Sequence, residues 1–445
     1  MEASHYPGEV GWTLSDLIAK YDVPGAQVAV LADGEIQDEA AGVLSLHTRV
    51  ETTSDSVFKI GSITKIWTAT LIQQLVNDRV LTLDRPVRDY LPGFRLSDPA
   101  ATDTLTTRHL LTHTGGLDGN HSTDTGRNDD AIERFVATLA DADHPLPPGT
   151  LFSYSNSGYA LLGRLVEVLR GNPFHHVLRE RLVTPLGLRT VATDTYEAIL
   201  HRAAIGHLHT GGKLTPTTSW AVRYHCTPSG SHLAMSARDL LEFVRPHLTD
   251  PALAELREPQ LASVPDFGGG ILGWGLGWML YRDGVIGHTG VSKGQKAFLR
   301  VVPSANVAVA VLTNSAGAEP LAHEILSTVL GELAGVETTP PPVPPANPTP
   351  INAHRMCGTY RTSRYDITLS VEDNRAFLTH HPRDELADTF RGKPEDRVEV
   401  VRLNDSAIIT AEPKPGGHQV RSLIGTDEHG RARFLHNGAA AHRIT

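Results

Sequence analysis

FKIGSITKIWTATLIQQLVNDRVLTLDRPVRDYLPGF, residues 58–94, changes its hydrophobic period at Ser62. Upstream, residues 24–60 read as strands. VPGAQVAVLADGEIQDEAAGV alternates loosely and carries Asp33-Gly34, a hairpin turn pair. Downstream, Ile63, Ile66, Trp67, Thr70, Leu71, Gln74 and Leu75 recur at three and four, so an amphipathic helix starts at Gly61-Ser62. Residues i and i+3 share a helix face, which brings Lys65 Nζ within reach of Ser62 Oγ. A serine hydroxyl is a poor nucleophile until a neighbouring base takes its proton. A buried lysine can serve, because desolvation disfavours the ammonium. The helix start also offers an N–H group and a positive dipole end to a developing oxyanion. A second Ser-x-x-Lys match, Ser56–Lys59, lies in strand-like sequence. There i and i+3 point to opposite faces, so it is set aside.

Working outward, Asp84-Arg85-Pro86 and Leu91-Pro92-Gly93 break the chain into loops. Residues 104–112 and 128–141 read as helices. SNSGYALLGRLVEVLRG, 155–171, is a further helix with Asn156 or Ser157 as N-cap and Gly171 past its end. Ala297–Val302 and Val307–Leu312 read as a hairpin, and 318–335 as a closing helix. Strands at both ends and helices between them predict one mixed sheet with a helical insertion. TTPPPVPPANPTP, 338–350, favours extended polyproline II and reads as a linker. This divides the chain into 1–337, the linker 338–350, and 351–445. The last part holds YDITLSV, RAFLTH, RVEVVRL, SAIITAE, HQVRSLIG and RARFLH, short runs that indicate an all-β sandwich or small barrel.

Two more clusters carry chemistry. In Tyr154-Ser155-Asn156, an ammonium nearby would lower the phenol pKa, so that Tyr154 relays protons to a leaving group. Asn156 would hydrogen-bond a substrate amide or Lys65. In His288-Thr289-Gly290, at a strand edge, Gly290 would let a substrate backbone lie close. The Val291 N–H would then be a second oxyanion donor. His288 would be a cation or hydrogen-bond donor near the acyl or carboxylate end of the substrate.

Taken in this order, the segments resemble one family. Residues 58–94 look like the nucleophile helix of the serine β-lactamase and penicillin-binding-protein superfamily. RHLLTHTGGL (108–117), FSYSNSGYALLG (152–163), PLGLRT (185–190), LGWGLGW (272–278) and GHTG (287–290) are also similar to its segments. The resemblance covers about residues 10–335. It implies an α/β, mostly antiparallel sheet beside a helical subdomain, with the site between them. It implies Ser62 as nucleophile, Lys65 and Tyr154 as proton-transfer groups, and Asn156 and His288 as substrate contacts. Tyr-Ser-Asn places the resemblance on the class C and DD-peptidase side. His-Thr-Gly, where many β-lactamases have Lys-Thr-Gly, is more typical of the esterase, D-amino-acid peptidase and thioesterase branches. The C-terminal part resembles the lipocalin-like barrel of penicillin-binding-protein-type thioesterases that cyclise nonribosomal peptides.

Composition narrows the partners. The formal charge of -10 argues against nucleic acid. Cys226 and Cys357 suggest neither a disulfide framework nor a zinc site. Glu2 and Glu9 stand where a signal peptide needs basic residues, and no run approaches 18 apolar residues, so a cytoplasmic protein with no membrane partner is expected. Cell-wall DD-peptidase work is disfavoured on that ground. His207-Leu208-His209 and His175-His176 lack metallo-hydrolase spacing, so neither metal nor cofactor is expected. His113 reads as a hydrogen-bonded scaffold residue and Trp274 and Trp278 as core. Arg443 reads as a surface strand residue, although it could reach toward the cleft. The expected function is a serine hydrolase or acyltransferase. It acts on a small-molecule or peptide amide, ester or thioester, which a carrier protein could present, and passes the acyl group to water or an amine. The alternatives are a peptide-cyclising thioesterase or transacylase, and a catalytically silent ligand-binding scaffold.

Overall fold

The computed structural model describes residues 12–119, 121, 123–210, 212–220, 223–383 and 396–445; the N-terminal residues read for a leader lie outside them. Its main sheet takes β1 (Gly25–Ala32) and β2 (Glu35–Gly42) from the start of the chain. From residues 273–313 it takes β3 (Gly273–Trp274), β4 (Met279–Leu280), β5 (Ile286–Ser292), β6 (Gln295–Val302) and β7 (Val307–Thr313). The order is β2-β1-β7-β6-β5-β4-β3, and these pairings are antiparallel. The sheet therefore gathers both ends of the domain, as the sequence predicts. A parallel pairing occurs in a small separate sheet, where Ser56-Val57 lies beside Arg202-Ala203.

Both faces of the sheet are covered, which explains why β7 reads VAVAVLT without a polar interruption. Val28, Val30, Val309 and Val311 pack on one side with Leu14 and Leu17 of helix α1 (Leu14–Lys20) and with Leu321, Ile325 and Val329 of the closing helix, Glu319–Ala334. Ala29, Leu31, Ala310 and Leu312 face the other way, toward α2 (Thr64–Asn77) and the helical region. The period of two thus assigns each strand residue to one of two cores. α2 is preceded by a turn of 3₁₀ helix over Gly61–Ile63, so Ser62 sits before the α-helical geometry begins. α3 (Asn156–Arg170) packs across α2 and ends on Gly171 in the left-handed conformation. Its N-cap is Ser155, which accepts from the Gly158 N–H, not Asn156 or Ser157. Around the expected helix at 104–112 the chain forms two short helices, Pro99–Thr104 and Thr107–Leu111.

Residues 338–350 carry no helix or strand. Beyond them β8 (Gly358–Arg361), β9 (Tyr365–Glu372), β10 (Arg375–Pro382), β11 (Asp396–Asn404), β12 (Ala407–Thr410), β13 (Val420–Ile424), β14 (Phe434–His436) and β15 (Ala440–Arg443) form a closed barrel. β8 pairs with β15 to close it, and Ile367, Leu369, Leu378, Val400, Ile408, Leu423 and Leu435 fill it. Arg443 spends its guanidinium on the Ala432, Cys357, Arg355 and Met356 carbonyls and the Tyr360 hydroxyl. It seals one end of the barrel and does not reach the cleft.

One side chain ties the two ends of the first domain together. Buried Asn314, just past β7, accepts from the Gly25 N–H at 2.8 Å and donates to the Val43 and Leu44 carbonyls at 2.9 and 3.1 Å. Asn314→Ala leaves the Gly25 N–H and the Val43 carbonyl unpaired, at about 1–3 kcal/mol each, while the Leu44 carbonyl keeps the Ile205 N–H. A urea titration should show unfolding free energy lowered by about 2 kcal/mol or more.

Candidate active site

Ser62 is half-buried at the head of α2, and Lys65 lies fully buried one turn below it. Lys65 Nζ has three polar neighbours. It lies 2.8 Å from Asn156 Oδ1, 2.8 Å from the Ser229 carbonyl oxygen and 3.2 Å from Ser62 Oγ. The first two can only accept, so each takes an N–H. A neutral amine then has one lone pair left, directed at Ser62, and the serine hydroxyl donates to it. Burial pushes the lysine pKa down to about 7, so about half the molecules carry the neutral amine at pH 7. The i,i+3 spacing seen in the sequence does bring the pair together.

Tyr154 sits in the extended segment before α3, with its ring 4.7 Å from Lys65 Nζ and its hydroxyl hydrogen-bonded to Ser62. Its pKa is raised, not lowered as the neighbouring lysine suggests, because burial outweighs that hydrogen bond. Lys65, half neutral itself, is a weak source of positive charge. Tyr154 therefore stands as a protonated phenol, a proton donor. His113 braces it. The His113 ring lies 4.2 Å from the Tyr154 ring, tilted by 30°, and its Nδ1 accepts from the Ser155 N–H at 3.0 Å. Burial holds His113 well below the usual histidine range, which suits the scaffold role expected of it.

β5 brings the third cluster against the helix start. Ser292 and Gln295 flank a two-residue turn, so they exchange hydrogen bonds and the next pair, Val291 and Lys296, does not. The Val291 N–H is therefore turned away from β6, and it lies beside Gly61. A Cβ on Gly290 would overlap the Ile60 carbonyl, and one on Gly61 would overlap the Val291 nitrogen. Strand and helix can meet this closely only without side chains between them. The Ser62 N–H, in the first turn of its helix, has no intrahelical acceptor. The Val291 nitrogen thus lies against the helix start that carries Ser62.

His288 differs from expectation. It is fully buried, with its ring 5.8 Å from the Trp274 ring and 6.4 Å from the Tyr154 ring. Burial, with Lys65 nearby, pushes its pKa down to about 3, so it is neutral and cannot be the cation proposed from the sequence. Its Nδ1 donates to the Thr289 carbonyl at 2.9 Å, which leaves Nε2 as a lone-pair acceptor. Thr289 itself contacts Tyr281. Trp274 and Trp278 are both fully buried; Trp274 lies under Tyr154 and His288. His207 is tied to the Leu46 N–H and the Asn314 carbonyl, and the His175 and His176 rings lie 4.4 Å apart. The Ser229 carbonyl is a site group the sequence reading missed. A carbonyl leaves no residue signature, and Pro228-Ser229-Gly230 signals only a turn.

A family model described as Beta-lactamase matches residues 13–330. The chain belongs to the beta-lactamase family. It is 42% identical over 360 residues to penicillin-binding protein 4 of Amycolatopsis lactamdurans, covering 77% of this chain and 94% of that one. It superposes on the crystal structure of SurE with a TM-score of 0.77 at 28% identity, covering 96% of this chain and 97% of that one, barrel included. The D-amino acid amidase of Ochrobactrum anthropi SV3 superposes with a TM-score of 0.60 at 25% identity, over 68% of this chain and 89% of that one. The chain is thus a serine hydrolase of the beta-lactamase and penicillin-binding-protein type. Among the described residues no helix is long and apolar enough to cross a membrane.

The Lys65 geometry fixes a pH dependence. The neutral amine is lost as pH falls through about 7. Labelling of Ser62 by an uncharged fluorophosphonate should slow about tenfold per pH unit below that point and be flat above it. Lys65→Arg should be slow at every pH, since arginine does not deprotonate. Stopped-flow or gel-based labelling rates from pH 5 to 9 check this.

Proposed function

We propose that this enzyme forms an acyl-enzyme on Ser62 from amides or esters whose acyl group is a D-amino-acid or peptide unit, and releases it to water or an amine. The observation that carries this is the buried Lys65 amine, held by two obligate acceptors with its remaining direction on Ser62 Oγ. Ser62 Oγ attacks the carbonyl carbon while Lys65 takes the hydroxyl proton. The carbonyl oxygen becomes an oxyanion held by the Ser62 and Val291 N–H groups. The tetrahedral species collapses, the bond to the leaving group breaks, and the Tyr154 hydroxyl gives that group its proton. Lys65 returns a proton to the phenol. Deacylation runs the relay in reverse with water or an amine as nucleophile. No step calls on a metal.

The acyl class rests on two supports. One is the likeness to a D-amino acid amidase and to SurE, which also superposes in a structure with D-Leu at a TM-score of 0.75. The other is the neutral His288, which offers no fixed positive charge to a substrate carboxylate. That turns the reading away from β-lactam hydrolysis and toward uncharged acyl donors. Asn156 holds Lys65, and Thr289, Gly290 and Val291 form the strand edge along which the acyl chain lies. Peptide-cyclising thioesterase or transacylase chemistry is the amine branch of the same intermediate, and a carrier-bound thioester would enter by the same attack.

Intact-protein mass spectrometry with paired D- and L-aminoacyl esters and thioesters tests this. The wild type should gain the mass of the D-acyl group, and Ser62→Ala should gain nothing. Lys65→Ala should acylate about a thousandfold more slowly. Added amine that converts the released acid to an amide would identify the transacylase branch. If no donor loads Ser62, the silent binding scaffold becomes the better reading.

A further inference from the structure

Ser62, Lys65 and Asn156 belong to the first domain, yet the barrel touches the segment that carries Tyr154. Ser155 is extended, and the N–H groups of residues 153–155 point alternately to two sides. The Ser153 N–H donates to the His113 carbonyl at 2.8 Å and the Ser155 N–H to His113 Nδ1 at 3.0 Å, both toward the helical region. The Tyr154 N–H points the other way and donates to the Gly438 carbonyl at 2.8 Å, in the turn between β14 and β15. The same hairpin makes two more bonds to this segment. The Ala440 N–H donates to Ser153 Oγ at 3.1 Å, and His436 Nε2 donates to the Phe152 carbonyl at 2.9 Å. Phe267 lies beside both the His436 and Phe152 rings.

His436 also shapes the turn, because its Nδ1 accepts from the Gly438 N–H at 3.2 Å. A carbonyl can only accept and an amide N–H can only donate, so one neutral tautomer, protonated at Nε2, satisfies both. Burial holds the ring pKa down to about 4, which keeps that tautomer in place. One fully buried ring thus ties the carbonyl that receives the Tyr154 N–H to the strand that carries Tyr154.

We propose that the barrel hairpin 436–440 is part of the catalytic apparatus, with His436 as the positioning residue that holds the Tyr154 phenol in register with the leaving group. This assignment rests on the acid role of Tyr154 proposed above. A general acid must keep its proton within hydrogen-bond reach of the departing atom, and a misplacement of about 1 Å can cost about a hundredfold in rate. The helical region restrains the amides on either side of Tyr154, but the Tyr154 amide itself is held by the barrel.

The test uses the full chain and two D-aminoacyl donors that differ in the leaving group. A p-nitrophenolate departs without a proton, whereas the nitrogen of the matching anilide must be protonated. His436→Phe keeps an aromatic ring, somewhat larger, and deletes both hydrogen bonds. In single-turnover acylation, which precedes the deacylation that both donors share, it should slow loading of Ser62 from the anilide about tenfold and alter loading from the ester less than about twofold. His436→Gln keeps a donor for the Phe152 carbonyl and should recover most of the loss. Tyr154→Phe should show the same leaving-group dependence, larger, and the double variant should be no worse than Tyr154→Phe alone. An equal loss on ester and anilide in His436→Phe would overturn the proposal in favour of plain structural support. If Tyr154→Phe itself slows acylation from ester and anilide equally, the acid role fails and the positioning role falls with it, visibly for that separate reason. Should His436→Phe not fold, Ser153→Ala deletes only the acceptor for the Ala440 N–H. It must then show the anilide-selective loss, and its absence overturns the proposal.

Discussion

The site depends on the burial of one amine. A lysine with no solvent contact cannot hold its charge cheaply, and desolvation alone would leave Lys65 neutral but poorly anchored. Its three neighbours resolve this. Asn156 Oδ1, the Ser229 carbonyl and Ser62 Oγ come from three separate stretches of chain, and each fills one direction around Nζ. The base therefore exists only once α3 and the 224–229 turn have packed against α2. Folding of the helical region and assembly of the proton acceptor are one event. The same packing sets His113 against Tyr154 and Trp274 edge-on to it, so the proposed acid and base share one wall.

A second constraint is imposed from the sheet. β5 approaches the head of α2 where Gly61 and Gly290 face each other, and the hairpin register turns the Val291 N–H toward that gap. Backbone amides so placed cannot swing away, as a side-chain donor could. Preorganised dipoles of this kind cost no reorganisation when negative charge develops. In the proposed reaction the helical region supplies the mobile protons and the Ser62 N–H, and the sheet adds the Val291 N–H.

Local spacing made much of this legible. Ser62 and Lys65 could be paired because three residues along a helix is a fixed geometry, and the β1–β2 and β6–β7 turns could be read from short-range signals. Three kinds of feature could not. The Ser229 group is a backbone carbonyl and has no signature. The His436 bond to Phe152 spans 284 residues, a separation over which sequence pattern carries no register. The end strands β8 and β15 are four residues each and only partly buried, too short to show alternation, although they close the barrel. The direction of the Tyr154 shift failed for a related reason. Sequence shows the neighbouring lysine but not the burial that outweighs it. His288 failed in the same way, since a histidine in a strand motif looks like a cation until its surroundings are known.

These two failures belong together. Burial drives each titratable group around Ser62 toward its neutral form: Lys65 down to about 7, His288 down to about 3, His113 down and Tyr154 up. Lys65 itself contributes to lowering both histidines, so the positive charges exclude one another. With Lys65 in its neutral form the site holds close to no net charge in a low-dielectric setting. In that form charge appears only when Ser62 attacks, as an oxyanion on one side and an ammonium on the other. In such surroundings their mutual attraction is far stronger than in water, and it exists only on the reaction path. A substrate that brought a permanent carboxylate into this space would pay desolvation with no partner waiting, whereas an uncharged amide or ester would not.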